Sequence, residues 1–83
     1  AYPNPFNPVT TIRFDIPNVE TLSAASLHVF DLNGRMVETL VEGVKEPGTH
    51  EIQWNARHNT SGIYFARFES GSKIQSQKLI LLK

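Results

Sequence analysis

The sequence predicts an all-β fold, an antiparallel β-sandwich around one modest core. Three observations carry this. Short segments alternate apolar and polar residues, as half-buried strands do. Turn signals separate them at regular short spacing. No window holds a 3.6-residue apolar period over three turns. The connections are too short for parallel crossovers, so the pairing is antiparallel. At 83 residues the chain is long enough for one domain and too short for two. A domain of this size buries roughly 60–65% of its unfolded surface, which leaves little room for a deep catalytic pocket.

Each element follows from its residues. Residues 1–9 form an extended lead-in and 10–83 a single sandwich domain. From Tyr2 to Pro8 the lead-in holds three prolines (Pro3, Pro5, Pro8). These fix φ, remove backbone donors and push the preceding residues to extended geometry. The segment suits a linker boundary or a lid along one edge of the sandwich. Thr10 to Ile16 alternates, with Ile12, Phe14 and Ile16 on one face, and Pro17-Asn18 ends it. Val19 to Ala25 forms one helical turn at most. Ala25 to Asp31 is the second strand, with Leu27 and Val29 inward. Leu32-Asn33-Gly34 is a tight hairpin turn in which Asn33 and Gly34 both tolerate positive φ. Arg35 to Val41 returns, and Gly43, Pro47 and Gly48 mark the next loop. Thr49 to Asn55 places His50, Ile52 and Trp54 on one face. After the polar link from Ala56 to Ser61, the strand Gly62 to Glu69 turns Tyr64, Ala66 and Phe68 one way and Ile63, Phe65 and Arg67 the other. Ser70-Gly71-Ser72 is a second tight turn, and Lys73 to Leu82 is the final strand.

Composition narrows the function classes. Eight basic residues balance eight acidic ones, without the basic excess of a duplex-DNA binder. The bias lies at the end: Gly71 to Lys83 contains three lysines (Lys73, Lys78, Lys83) and no acidic side chain. With no cysteine, disulfides and thiolate metal clusters are excluded, and packing must hold the domain. The longest apolar run, Leu79 to Leu82, is far below the ~20 residues that span a bilayer. No signal-peptide pattern opens the chain. It reads as excised from a longer polypeptide, because it begins in mid-motif without an initiator Met.

Candidate chemical sites have simpler explanations. His50 shares a face with Ile52 and Trp54, whereas His28 points opposite to Leu27 and Val29. With His58 they do not converge, no pair has zinc-ligand spacing, and hydrogen-bonded rim histidines are the expectation. Asp31-Leu32-Asn33-Gly34 resembles the start of a calcium loop, but Met36, Val37 and Leu40 before Glu42 are apolar strand residues. A hairpin turn with Asp31 accepting bonds from turn amides is expected instead. There is no Gly-x-Ser-x-Gly elbow. Ser61 precedes Gly62 where turn chemistry suffices, and Glu38, Glu42 and Glu46 read as a solvated edge. Asn59-Thr60-Ser61 is a glycosylation sequon, of little weight if the source is bacterial. Trp54 with Tyr64 and Phe68 could stack a sugar ring, but Trp54 is in phase with Ile52 and belongs in a core. Phe30, Tyr2 and Phe65 are left unassigned. The expectation is a non-enzymatic chain with neither metal nor cofactor.

The ordered set of motifs carries a resemblance. Tyr2-Pro3-Asn4-Pro5-Phe6-Asn7-Pro8 is followed by a Val-Phe-Asp-x-x-Gly-Arg-x-Val block at Val29 to Val37, which includes Asp31 and Gly34. Then come Gly48-Thr49-His50, Trp54, Ser61-Gly62-Ile63-Tyr64 and Lys78-Leu79-Ile80-Leu81-Leu82-Lys83. Together they resemble the C-terminal sorting domain of proteins exported by the type IX (Por) secretion system of Bacteroidetes and related bacteria. The resemblance spans essentially the whole chain. It implies an immunoglobulin-like sandwich of about seven strands. Such a domain directs N-terminal cargo of the same polypeptide from the periplasm across the outer membrane to the cell surface or medium. An outer-membrane translocon reads it, and a sortase-like peptidase then removes it. The signal falls on Lys78, Leu79, Ile80, Leu81, Leu82 and Lys83. Tyr2, Pro3, Asn4, Pro5, Asp31, Gly34, Trp54, Gly62 and Tyr64 match motifs that look structural.

Two other readings stand beside this one. The pattern is also similar to the immunoglobulin-like domain of flagellar hook-capping proteins, a structural spacer or assembly module. A carbohydrate-binding module of a secreted hydrolase would instead need a row of exposed aromatics. The terminal strand divides these readings. Leu79 and Leu81 fall on one face, Ile80 and Leu82 on the other. A strand apolar on both faces is either central and buried or an edge seeking a partner; the resemblance favours the edge.

Overall fold

A computed structural model describes residues 5–16, 23–71 and 73–82. These form six strands: β1 Val9–Ile16, β2 Ser23–Asp31, β3 Met36–Lys45, β4 Gly48–Asn55, β5 Gly62–Ser70 and β6 Lys73–Leu81. They pair antiparallel in two sheets, β1-β4 and β3-β2-β5-β6. About seven strands were expected. The nearest thing to a seventh is a one-residue parallel bridge from Phe6 to Leu81 on the outer side of β6. The stretch from Val19 to Ala25, read as one helical turn at most, lies partly outside the described residues. Where it overlaps them, from Ser23 on, the backbone is strand.

Alternation decides which side chains meet between the sheets. Ile12, Phe14 and Ile16 of β1 are buried, as is Trp54 of β4. They face Leu27 and Val29 of β2, Tyr64, Ala66 and Phe68 of β5, and Leu79 and Leu81 of β6, all in one apolar cluster. Phe14 crosses the interlayer space to stack on Phe68, with ring centroids 4.6 Å apart. Trp54 meets Tyr64 edge-on at 5.3 Å. The inward faces read from the sequence are therefore the buried ones.

Two local expectations are corrected. Gly43 lies within β3, opposite Ala25, and not in a loop. The β2–β3 ladder runs on to Ser23↔Lys45, so the turn contracts to Glu46 and Pro47 ahead of Gly48. The 31–34 hairpin has positive φ at Gly34 alone (84°); no non-glycine among the described residues has it, Asn33 included. The Gly34 amide donates to the Asp31 carbonyl (3.0 Å) and the Asp31 amide to the Arg35 carbonyl (2.9 Å). That is a loop over Leu32, Asn33 and Gly34 closed by a left-handed glycine, and the positive φ that Asn33 tolerates is not used.

β3 departs from simple alternation for a visible reason. Its register with β2 slips twice, between Leu27 and His28 and between Val29 and Phe30. Val37 and Leu40 are thereby left without opposite numbers, and both pack against the core. Such bulges re-aim side chains of the longer strand.

Candidate functional site

The residues singled out by sequence lie mostly at one pole of the sandwich. Through the ladder Asp31↔Tyr64↔Leu79, the β2–β3 hairpin, the start of β5 and the end of β6 are neighbours. Asp31 organises the hairpin. Its Oδ1 accepts from the Asn33 and Arg35 amides (2.9 Å each), and Oδ2 receives the Arg35 Nε at 3.2 Å. The Arg35 amide bond chiefly, aided by the Asn33 amide and the Arg35 guanidinium, holds the Asp31 carboxyl below its ordinary value. These are the turn-amide bonds expected of Asp31, and they leave it engaged in turn geometry. Gly34 and Gly62 carry the positive φ angles at the two turns of this pole.

Trp54 and Tyr64 are buried and polar-satisfied. The Trp54 indole donates to Glu38 Oε1 at 3.1 Å. Glu38 was read as part of a solvated edge; it is exposed, yet it also supplies the acceptor that a buried indole N–H requires. The Tyr64 hydroxyl donates to the Thr60 carbonyl at 2.6 Å, four residues upstream. A tyrosine corner locks a sandwich connection in the same way. With Trp54, Tyr64 and Phe68 all buried, these three offer no exposed stacking platform. Phe30 and Phe65 are half-buried cross-strand neighbours on the outer sheet face, in line with Met36 and Lys78.

The histidines stay apart in role. His50 is half-buried, stacks on Phe14 at 5.5 Å and donates from Nε2 to the Glu46 carbonyl at 2.8 Å. His28 lies on the opposite face of its sheet, edge-on to Phe30. No group of three acidic, histidine or cysteine residues among those described could hold a metal.

The terminal strand combines both roles considered for it. Leu79 and Leu81 are 0% exposed, so its inner face is core. In the described four-stranded sheet β6 is nonetheless the edge strand, next to β5. On the other side its backbone meets the lead-in: the Phe6 amide donates to the Ile80 carbonyl (2.9 Å) and the Leu82 amide to the Phe6 carbonyl (3.0 Å). The Phe6 ring is buried, 5.6 Å from Trp54. Leu82 is 55% exposed, Ile80 half-buried and Lys78 exposed. Further along, the Gln77 side chain donates to the Arg13 carbonyl of β1 at 2.9 Å, tying β6 to the other sheet. Pro5 is exposed. Tyr2, Pro3, Asn4 and Lys83 lie outside the described residues.

The burial of Phe6 was not read from the sequence. The available signal was a single large apolar residue between Pro5 and Pro8, in a segment otherwise polar or proline.

No curated protein and no solved structure matches the chain. A family model described as a secretion system C-terminal sorting domain matches residues 1–82, nearly the entire sequence. The aligned stretch takes in the lead-in that bridges β6 as well as both sheets. The chain belongs to the family of secretion system C-terminal sorting domains.

Proposed function

We propose that this chain is the export-sorting module of a larger polypeptide, read by the outer-membrane translocon of a type IX system through residues 78–83. The observation that carries the reading is the placement of β6. It is a terminal strand at a sheet edge, with a buried leucine face that fixes it in register and an outer face that offers Lys78, Ile80 and Leu82. Edge strands can be extended by a partner's strand through backbone hydrogen bonds. In this reading residues 10–83 are the folded unit and 1–9 the lead-in from N-terminal cargo. The cargo passes from periplasm to cell surface or medium, and a sortase-like peptidase then separates it. The module needs no cofactor and performs no catalysis.

A structural-module reading draws on one observation, the complete burial of Leu79 and Leu81. The experiment must therefore spare them, because deleting 78–83 would open the core. Residues 1–83 are fused to a signal-peptide-bearing fluorescent reporter in a host with a working type IX system. Lys78→Glu with Leu82→Ser changes exposed positions only. The parent fusion should reach the surface or medium, and the double variant, shown to be folded, should accumulate in the periplasm. Equal export of the two removes the outer face of β6 from the signal. A folded parent retained while the host's own cargo leaves makes the structural module the better account.

A further inference from the structure

The β2–β3 hairpin carries a reactive pair that the proposed sorting role does not use. The backbone nitrogen that follows an asparagine can attack its carboxamide, provided that the nitrogen has a proton to lose and room to approach. Among the chain's six asparagines, Asn33 alone precedes a glycine. Asn4 and Asn7 precede prolines, which have no N–H. Asn18, Asn55 and Asn59 precede Val19, Ala56 and Thr60, whose side chains crowd the nitrogen. Gly34 has no side chain. Apart from its chain neighbours, no described residue places an atom within 4 Å of the point where its Cβ would stand. Asn33 itself is exposed. The fold opposes the attack at the same place. The Asn33 and Arg35 amides donate to Asp31 Oδ1 (2.9 Å each), and the Gly34 amide between them donates to the Asp31 carbonyl (3.0 Å). Three successive amides are thus bonded to one residue. While the hairpin is closed the Gly34 nitrogen keeps its proton, engaged with Asp31, and that bond must break before the nitrogen can attack.

We propose that Asn33 is a site of spontaneous deamidation, gated by the Asp31 clamp on the hairpin. When the hairpin opens, hydroxide takes the Gly34 amide proton and the nitrogen attacks Cγ of Asn33. The new C–N bond closes a succinimide ring. The bond from Cγ to the carboxamide nitrogen breaks, and that nitrogen takes a proton from water and leaves as ammonia. Water then adds to one ring carbonyl. Opening at Cγ gives an aspartyl residue; opening at the backbone carbonyl gives an isoaspartyl linkage, with an extra atom in the main chain. Water is consumed, ammonia is released, and nothing is oxidised or reduced. Either product sets a second carboxylate in the loop that the Asp31 carboxylate organises. The isoaspartyl form also lengthens the loop, so the Gly34 and Arg35 amides lose their fit to Asp31 and the hairpin loosens.

The full chain is aged in mildly alkaline buffer and mapped by mass spectrometry with separation of aspartyl and isoaspartyl peptides. Product should accumulate at Asn33 ahead of Asn18, Asn55 and Asn59; earlier product at any of those three overturns the assignment. A synthetic peptide of residues 29–37 lacks the sheet that keeps the hairpin closed. It should react about tenfold or more faster than the folded chain, in which the hairpin must first open locally. Equal rates overturn the gate. Asp31→Ala removes both carboxylate bonds and should speed the reaction of the folded chain about tenfold, the weight of hydrogen bonds to a charged group. Slow amide exchange at Val29 and Ala66 establishes that this variant is folded; if it does not fold, the comparison of peptide with chain decides the gate. A folded Asp31→Ala chain that reacts no faster than the parent overturns the clamp. Within the peptide, Gly34→Ala should slow the reaction severalfold, and an unchanged rate overturns attack by the Gly34 nitrogen. The purified isoaspartyl chain should exchange its Gly34 and Arg35 amides faster than the parent while Val29 and Ala66 stay slow. Unaltered protection of the two loop amides overturns the loosening of the hairpin.

Discussion

At the scale of single residues, the molecule assigns polar side chains to backbone geometry and apolar ones to the interlayer. Asp31 is the clearest polar case. Its carboxylate accepts two turn amides, and its affinity for a proton falls accordingly. A carboxyl whose folded value is depressed contributes stability that is fully present above its unfolded value, about 3.9. That contribution is lost as pH falls through the lower folded value. The unaltered chain should therefore lose stability in acid more steeply than Asp31→Asn. Urea midpoints at pH 7 and pH 3 check this: the gap between the two proteins should narrow at the lower pH, and a constant gap would rule out the linkage. Trp54 is the apolar counterpart with a polar end. Trp54→Phe keeps an aromatic ring but removes volume and the bond to Glu38. It should cost about 1–3 kcal/mol by denaturant unfolding, between a lost hydrogen bond and a full truncation.

At the scale of elements, strands and inward faces were legible because a period of two leaves no freedom about which residues share a side. Ile12, Phe14 and Ile16 show this, as do Tyr64, Ala66 and Phe68. The failures came where one residue breaks that period. Val37 and Leu40 are extra residues in β3, and sequence alternation cannot register a bulge whose partner strand is unknown. Gly43 was read as punctuation, whereas the ladder runs through it. In the Leu32-Asn33-Gly34 turn both Asn33 and Gly34 tolerate positive φ; with the Asp31 carboxylate accepting the Asn33 and Arg35 amides, the loop uses it at Gly34 only. This distinction is measurable. Gly34→Ala should cost about 1–2 kcal/mol, the strain of a left-handed alanine, while Asn33→Ala should stay within about 0.5 kcal/mol. Comparable losses at both positions would mean that Asn33 also carries the strain of the turn. For the candidate site, the motif block located β6 and its leucine face. It could not reveal that Phe6 packs there, because that contact joins residues far apart in sequence across a sheet edge.

At the scale of the whole molecule, side-chain bonds join the two sheets at separate places. Gln77 of β6 reaches the Arg13 carbonyl of β1, and Trp54 of β4 reaches Glu38 of β3. Since β3 and β6 are opposite edges of the four-stranded sheet, these bonds lie on opposite flanks. The Phe6 segment bridges the end of β6 and also leads into β1, so it links the two sheets on the β6 flank. The arrangement predicts where energies couple. Gln77→Ala and Glu38→Ala act on opposite flanks of the four-stranded sheet, so their losses should add to within about 0.5 kcal/mol. Phe6 and Leu81 are bridge partners in one core cluster, so Phe6→Leu and Leu81→Val should show an interaction of about 0.5–3 kcal/mol. Both cycles can be read from urea unfolding of the full chain at neutral pH. Additivity in the second pair would mean that Phe6 rests on the sandwich without supporting β6. Strong coupling would show that the packing of Phe6 and the end of β6 stand or fall together, as bridge partners in one core cluster require.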